Sequence, residues 1–432
     1  MITAHAQDAT GRVIGTVTDP SGGVLVGAKV TVTNTETKVT RETITGDNGS
    51  YQVLLVPIGN YSVTAEAPGF RRVVTSDAPL RINESLRIDI KMEVGSTSEV
   101  VQVEANAGGV ETVVATLGGS VTSQQIQGMP LNGRNVLDLA LLQPGVIPSS
   151  AGGAGSFSIA GGRQDSVNYV LDGGINSNLL SNGVVFNPNP DAIEEFRILT
   201  SNYTAEYGRN AGGVVSVVTK SGANTLHGSA YDYLRNDALN ANSFFNNANG
   251  LHREVLKRNQ FGAYLGGPVF IPKLYNGKNK TFFFVGWQGT RLRNVNAAKN
   301  ALGPTVDEKN GNFTTCGNPC NATLKDPQGG TFPNNQIPVS RFDPVAVAFA
   351  NRLLPGALTG TRFFTFQTGI NQDLDQGVMR IDHQISQNTR LTGRYFIDQF
   401  QNKANYDPHN YTSYSNGSGT RVQNANIGLI QI

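Results

Sequence analysis

The chain has 432 residues, with 34 Lys+Arg against 32 Asp+Glu, so its formal net charge is only +2. This balance, without a basic run or zinc-finger spacing, gives no reason to expect nucleic acid as a partner. Glycine supplies 50 residues and charged residues only 15% of the chain, which is typical of short strands, turns and long polar loops. No run of about 18 apolar residues occurs, so the sequence excludes a transmembrane helix but not membrane-spanning β-strands, which alternate.

The amino-terminal stretch divides into a short leader and a region with period-two patterning. Residues 1–10 contain Ala4-His5-Ala6, the small-x-small form of a signal-peptidase site. They are interpreted either as the remnant of an export signal or as a flexible start. Residues 11–95 alternate apolar and polar positions in runs of about five, separated by Gly, Asn, Asp and Pro clusters. This pattern predicts a small antiparallel β-sandwich.

Five motifs in this region are shared with a known domain: GRVIGTVTD at 11–19, GAKV at 27–30, GDNGSY at 46–51, GNYSV at 59–63 and PGF at 68–70. The segment resembles the carboxypeptidase regulatory-like domain, which implies a transthyretin-like β-sandwich. A zinc peptidase site is not expected, because none of the five histidines has Glu at the third residue after it. Gly-x-Ser-x-Gly and Walker-type loops are also missing, so we expect no enzyme activity, cofactor or bound metal.

Residues 96–116 form a polar connector with one strand-forming strip, Glu99-Val100-Val101-Gln102-Val103. One interpretation is that this strip completes the preceding sandwich. The other, favoured by its position, is that it is kept available for another protein, because an extended segment can add to an exposed sheet edge through backbone hydrogen bonds.

The region 117–222 is expected to form a compact mixed α/β domain. Two helical turns with a Pro/Gly break are predicted over 123–140, and a strand is predicted to end in a tight Asp-Gly turn at Asp172-Gly173. The paired Gly212 and Gly213 precede a β-branched run. Such glycines indicate a close backbone approach just before a buried strand.

Four motifs in order carry a resemblance here: the strand near Arg163, LDG at 171–173, AIEEFRIL at 192–199, and the run from Tyr207 to Lys220. They resemble the plug domain of TonB-dependent outer-membrane receptors, and the leading sandwich makes the chain similar to the Oar-like branch of that family. The resemblance implies mainly structural roles for Arg163, Asp172, Gly173, Tyr207, Gly208, Gly212, Gly213 and Lys220. A buried ion pair between Arg163 and Glu195 is one hypothesis for how the plug is held.

Residues 223–432 contain runs of about ten residues with imperfect alternation and aromatic residues near their ends, as membrane-spanning β-strands require. A soluble β-sandwich is the alternative for this region. The interval 291–370 is predicted to be a long polar loop with a short amphipathic helix at Asp343–Leu354. It contains the only cysteines, Cys316 and Cys320, which form either a local disulfide or two free thiols.

The length of this last region limits how much of a barrel it can form. Barrels that enclose a plug have about 22 strands, and some 200 residues suffice for about six. We therefore expect the amino-terminal part of a longer receptor, in which the barrel is incomplete.

The family resemblance implies a transporter in the outer membrane of a Gram-negative bacterium, with the sandwich in the periplasm. The implied partners are the inner-membrane TonB complex, outer-membrane lipid and an unidentified extracellular ligand such as a polymer, peptide, glycan or chelate. Residues Glu99 to Val103 are the candidate segment for pairing with TonB. The rival hypothesis is a cell-surface structural or adhesive β-rich protein without transport activity.

Overall fold

The computed structural model describes residues 9–96, 99–104, 117–149, 157–178, 182–203, 207–208, 210–248, 250, 252–295, 299–302, 304–314, 323–353, 363–366, 369–403 and 421–431. Strands dominate these residues, and they build three successive units. The two cysteines lie outside the described residues. Among the helices described, none is long and apolar enough to span a membrane.

The first unit is a two-sheet sandwich, as the alternation of its sequence predicts. One sheet has the order β4-β1-β7, with β8 also paired to β1, and the other has the order β3-β2-β5-β6-β9. Inward positions such as Val13, Val17, Val30 and Val32 are buried, whereas the alternate residues Ile14, Thr16 and Thr31 are not. The strands are β1 (Thr10–Thr18), β2 (Lys29–Asn34), β3 (Thr40–Ile44), β4 (Ser50–Pro57), β5 (Gly59–Glu66), β6 (Arg72–Leu80), β7 (Ser85–Arg87), β8 (Ile90–Lys91) and β9 (Val100–Glu104).

The second unit is a mixed domain around a five-stranded sheet of order β10-β15-β16-β13-β14. Its central strand β16 is buried at all six positions, which confirms the buried strand predicted after Gly212 and Gly213. The strands are β10 (Leu117–Thr122), β11 (Val146–Pro148), β12 (Phe157–Ile159), β13 (Asn168–Leu171), β14 (Gly174–Ile175), β15 (Ile193–Ser201) and β16 (Val214–Thr219). The predicted helical turns are present as α1 (Ser123–Gly128) and the 3-10 helices Asn132–Arg134 and Val136–Leu142; further 3-10 turns are Gln164–Ser166 and Pro190–Ala192.

The third unit is a six-stranded antiparallel sheet of long strands in the order β17-β18-β21-β24-β25-β26. Each long strand pairs with the long strand that follows it in the sequence. These are β17 (His227–Asn236), β18 (Leu256–Pro268), β21 (Thr281–Val295), β24 (Gly369–Ser386), β25 (Thr389–Lys403) and β26 (Arg421–Gln431). The strand number matches the estimate from length. The sheet is open in the described residues, because β17 and β26 each have one strand neighbour in it.

The connections of this sheet differ in length between its two ends. One end carries the short turn between β24 and β25 and a hairpin of β19 (Phe270–Ile271) and β20 (Tyr275–Asn276). The other carries a long excursion with β22 (Lys299–Leu302), β23 (Phe363–Phe366), α3 (Val306–Lys309), α4 (Pro344–Leu353) and 3-10 turns at Pro333–Asn335 and Val339–Arg341; α2 (Phe244–Ala248) and the 3-10 turn Asp237–Leu239 lie between β17 and β18. Helix α4 confirms the helix predicted at Asp343–Leu354.

The two faces of the six-stranded sheet have different chemistry. Alternate residues on one face contact the second unit, as shown by Phe284, Val378 and Phe396, which are buried in its core cluster. The residues between them point outward and are apolar and exposed, including Trp287, Met379, Ile381, Tyr395 and Ile430. An outward apolar band over a filled interior is the pattern of a membrane-spanning β-sheet.

Candidate functional site

The second unit meets the inner face of the six-stranded sheet at a buried charge cluster, defined here as Asp172, Arg380, Asp382 and Arg394. Asp172 lies in the turn between β13 and β14, where it and Gly173 have φ values of 50° and 83°. Two consecutive positive φ angles are characteristic of a type I′ turn, which Asp-Gly forms readily. The predicted Asp-Gly turn is therefore present, and it places a carboxylate on the interface.

The Asp172 carboxylate is fully buried and has partners on both sides of the interface. Within its own unit it accepts hydrogen bonds from the backbone N–H of Thr219, at 2.8 Å, and from the Thr219 hydroxyl, at 2.7 Å. Across the interface the Arg394 Nε lies 3.4 Å from one carboxylate oxygen, and an Arg380 nitrogen lies 3.9 Å from the other.

The two arginines make further contacts that tie the strands to the plug-like unit. Arg380 pairs with Asp382 at 2.7 Å and also donates to the Thr219 carbonyl at 2.8 Å. Arg394 donates to the backbone carbonyl of Asp172 at 3.1 Å. Two carboxylates face two guanidiniums, so the cluster is neutral overall, which is the condition under which buried charges are tolerated.

A second contact lies further along the inner face, at the tip of the segment Asn132-Gly133-Arg134, called here the apex. The Arg134 side chain forms an ion pair with Asp191, and its guanidinium lies 3.9 Å from the centre of the Tyr233 ring on β17. A guanidinium over an aromatic face gains a cation–π attraction. Gly133 and Arg134 both have positive φ, 78° and 56°, so the chain reverses sharply and directs Arg134 toward the sheet.

Two buried glutamines on the sheet reinforce these contacts. The side chain of Gln260 donates to the Gly133 carbonyl at 3.2 Å, and that of Gln376 donates to the Asn187 carbonyl at 3.0 Å. Apart from an apolar patch that includes Phe186 and Phe396, with ring centres 5.0 Å apart, the interface is held by polar side chains. Such an interface separates at lower cost than a continuous apolar core, because water can satisfy the exposed groups.

The sandwich contacts the same unit through Ile82. Its backbone N–H donates to the Glu195 carboxylate at 2.9 Å, and its carbonyl accepts from Arg197. Burial raises the pKa of Glu195 to about 7, while the Ile82 N–H and the charges of Arg197 and Arg81 act in the opposite direction and Glu84 adds to the rise. The hypothesis of an Arg163–Glu195 pair is wrong, because Arg163 pairs with Asp165 instead, at an exposed position.

A cavity of about 1020 Å³ lies where the three units meet. Its lining includes Glu36 and Asn60 of the sandwich, Glu194 and Lys220 of the second unit, and Arg390 of the sheet. The cavity is bounded on one side by the charge cluster.

The candidate coupling residues Glu99 to Val103 lie at the edge of the sandwich. Strand β9 pairs in parallel with β6, from Arg72 opposite Val100 to Ser76 opposite Glu104, and Val101 packs against the sandwich core. Val100 and Val103 are about half exposed, at 52% and 46%. In this structure the strip therefore completes the sandwich, which was the first of the two interpretations. Pairing with TonB stays a prediction.

The remaining predicted positions occupy turns and tight packing sites. A Cβ on Gly212 would lie 2.1 Å from the Ser166 hydroxyl, and Gly213 has φ of 113°, so this pair does approach another segment before β16. Tyr207 is buried beside Val214, whereas Gly208 is exposed. Lys220 lies 4.5 Å from the Tyr264 ring centre, and burial lowers the pKa of its ammonium group.

Comparison with known families matches all three units. Residues 12–93 match the family model of the carboxypeptidase regulatory-like domain, residues 113–215 that of the TonB-dependent receptor plug domain, and residues 218–432 that of an outer membrane beta barrel domain. The chain belongs to the TonB-dependent outer-membrane receptors. The second unit is accordingly the plug, the six-stranded sheet is part of the barrel, and the protein is located in the Gram-negative outer membrane.

A similar curated protein is the TonB-dependent transporter Oar of Myxococcus xanthus, 28% identical over 310 residues, which are 68% of this chain and 28% of that relative. Solved structures with similarity include the outer membrane transporter YddB of Escherichia coli, with 12% identity, TM-score 0.40 and coverage of 68% and 34% of the two chains. The siderophore receptor PirA of Acinetobacter baumannii has 16% identity, TM-score 0.37 and coverage of 68% and 33%. The chain thus spans about a third or less of these proteins.

Sequence reasoning missed the barrel half of the charge cluster. Arg380, Asp382, Thr392 and Arg394 stand two residues apart on β24 and β25, and all four point inward. Where a plug rather than water fills a barrel, charged residues on the interior face of its strands need partners on the plug. That period-two charge pattern was the available signal, and it would have indicated an ionic contact with the plug.

We expect Asp172→Asn to loosen the plug, because it leaves Arg394 and Arg380 short of one buried counter-charge, which costs roughly 3–5 kcal/mol. The measurement is the passage of a large antibiotic such as vancomycin through the outer membrane of cells that express the receptor. Asp165→Asn, which removes an exposed pair of the same plug, is the matched control and should leave the membrane tight. Equal permeability of the two variants would contradict this role of Asp172.

We expect the folded state around Glu195 to become more stable as the pH falls. Glu195 takes up a proton on folding between its ordinary pKa of 4.5 and about 7, so stability falls as the pH rises through that window; the shift corresponds to roughly 3 kcal/mol. The thermal unfolding midpoint of the protein should therefore fall between about pH 5 and pH 8 in the wild type and much less in Glu195→Gln. Glu93→Gln, an exposed control, should retain the wild-type slope, and an unchanged slope in Glu195→Gln would refute the assignment.

Proposed function

We propose that this receptor takes up an extracellular ligand across the outer membrane by a movement of the plug that the TonB complex drives. The observation that carries the proposal is the neutral, buried charge cluster between plug and barrel, reinforced by side chains that hydrogen-bond to plug backbone. Polar contacts of this kind hold a plug firmly in one position, yet they can be re-formed with water once force displaces it. The ligand favours the plug position to which it binds more tightly, and the TonB complex supplies the work that shifts the plug from one position to the other.

We propose further that Glu99 to Val103 are the segment that the TonB complex engages. Strand β9 is the last strand of its sheet, so a second strand can pair with it or replace β6 beside it. Backbone hydrogen bonds give the affinity of such strand addition. Few interactions hold the segment to the sandwich: the pairing of β9 with β6 involves five residues, and Glu99 forms a surface ion pair with Arg71. Surface ion pairs contribute only about 0–1 kcal/mol.

The two states of this segment imply an order of events. While β9 is paired with β6, its inner side chains belong to the sandwich, and the strand reaches TonB only by its free edge. A pull on β9 would first separate it from β6, because β9 is at the edge of the sheet and β6 is its strand neighbour there. The pairing involves only five residues of each strand. The sandwich therefore acts as the holder of the coupling segment between transport cycles.

A disulfide that fixes β9 to the sandwich tests this function. Val74 and Gln102 are direct partners on the solvent side, so Val74→Cys with Gln102→Cys should lock the strand. We expect ligand uptake by cells to fall to background under oxidising conditions and to recover after a reductant is added, because release of β9 is required. Binding of the ligand at the cell surface should not change.

The matched control links two strands that do not need to separate. Thr31→Cys with Thr64→Cys joins β2 to β5 at another pair of facing residues of the same sheet, and it should leave uptake unchanged in either redox condition. Uptake at the wild-type rate with β9 locked would remove both the coupling assignment and the proposed order of events.

A further inference from the structure

Two arginines face each other on the inner side of the barrel sheet, above the plug apex. Arg235 on β17 and Arg258 on β18 are direct cross-strand partners. Like charges directly opposite one another on a sheet are destabilising. A compensating group close to both would relieve this repulsion.

The compensating group in this structure is neutral. Both guanidiniums donate to the side-chain oxygen of Asn132 in the apex, Arg235 at 2.6 Å and Arg258 at 3.3 Å. Across the residues that the structure describes, neither arginine forms an ion pair with a carboxylate. An amide oxygen accepts hydrogen bonds but carries no net charge, so two positive charges remain uncompensated at this point.

The outward face of the same rim shows the opposite arrangement. Arg291 pairs with Asp375 at 3.0 Å, and Arg293 pairs with Asp373 at 2.8 Å. These arginines stand one strand away from Arg258 but point away from the plug. The sheet thus neutralises its outward arginines with its own carboxylates and leaves the inward pair without one.

The site is open to a ligand from the side of the long loops. Asn132 and Arg235 are exposed and Arg258 is half-buried, whereas Gln260, the next inward residue along β18, is buried against the apex. Long loops of outer-membrane barrels face the exterior and short turns face the periplasm. An extracellular molecule therefore reaches this arginine pair before it reaches the charge cluster.

We infer that Arg235, Arg258 and Asn132 form an oxyanion site, which takes a carboxylate or phosphate group of the ligand. The Asn132 oxygen occupies the position of one anion oxygen, and an incoming anion would displace it, since hydrogen bonds between ionised groups are about twice as strong as neutral ones. Displacement releases Asn132 from both arginines and so frees the apex from this part of the barrel wall. Only the statement that the bound anion belongs to the transported ligand rests on the proposed transport function.

Three variants separate anion binding from simple anchoring of the apex. Arg235→Gln with Arg258→Gln removes the two positive charges. Asn132→Asp supplies a carboxylate from the plug itself, so it should occupy the site and raise the unfolding temperature while both arginines remain. Arg293→Gln, on the outward face, removes a cation of the same rim and is the matched control.

The experiment is calorimetric titration of the purified receptor with inorganic phosphate and, separately, with citrate, at low ionic strength and without the TonB complex. We expect the double arginine variant and Asn132→Asp each to weaken binding of the preferred anion at least about tenfold, because hydrogen bonds between ionised groups are stronger than neutral ones. Arg293→Gln should bind as the wild type does. The stronger of the two titrants identifies the group as phosphate or carboxylate.

Two results would overturn the inference: no binding of either anion by the wild type, or equal binding by the wild type and the double arginine variant. In either case the arginines anchor the apex only. Binding is measured without uptake, so a failure of the coupling experiment with locked β9 leaves this result intact, and the reverse holds as well.

Discussion

The contact between the Asp172 carboxylate and the guanidiniums of Arg380 and Arg394 determines how plug and barrel fit together. A carboxylate with no solvent exposure is tolerated only when opposite charges and hydrogen-bond donors surround it, and here the donors come from Thr219 of the plug and from two barrel strands. The tight Asp-Gly turn fixes the carboxylate in place, and the period-two geometry of β24 and β25 brings both arginines to it.

The same alternation of inward and outward residues determines what the other residues of the barrel sheet contact. Residues on one side of each strand, polar and apolar alike, meet the plug, and residues on the other side form an outer band that is apolar except for the ion pairs Arg291–Asp375 and Arg293–Asp373 near the long loops. Along the inner face, contacts change from the compensated charge cluster near the short turns to the uncompensated pair Arg235 and Arg258 near the long loops. The two ends of the plug thus meet the barrel through contacts of different charge balance.

Much of this arrangement could be predicted from local sequence, and the parts that could not depend on distant residues. The Asp172-Gly173 turn, the buried strand after Gly213 and helix α4 follow from turn chemistry, β-branched runs and helical periodicity. Arg394 is separated from Asp172 by 222 residues, so nothing local indicates that they meet. For Glu195 the sequence suggested Arg163, but the chain turns Arg163 toward Asp165 and offers Ile82 of the sandwich instead. The sequence could not predict which strand Glu99 to Val103 would pair with, because a short β-forming strip pairs equally well with its own sheet or with a partner protein.

The central claim is that the plug lies against the inner face of the barrel strands, with the β13–β14 turn beside β26. Gly174 next to that turn faces Leu429 on β26, and a Cβ at Gly174 would lie 3.3 Å from the Leu429 side chain. Gly174→Cys with Leu429→Cys should therefore be joined by a short thiol crosslinker in isolated outer membranes, whereas Gly174→Cys with the outward-facing Ile430→Cys should not. Crosslinking of neither pair, or of both pairs equally, would contradict the account.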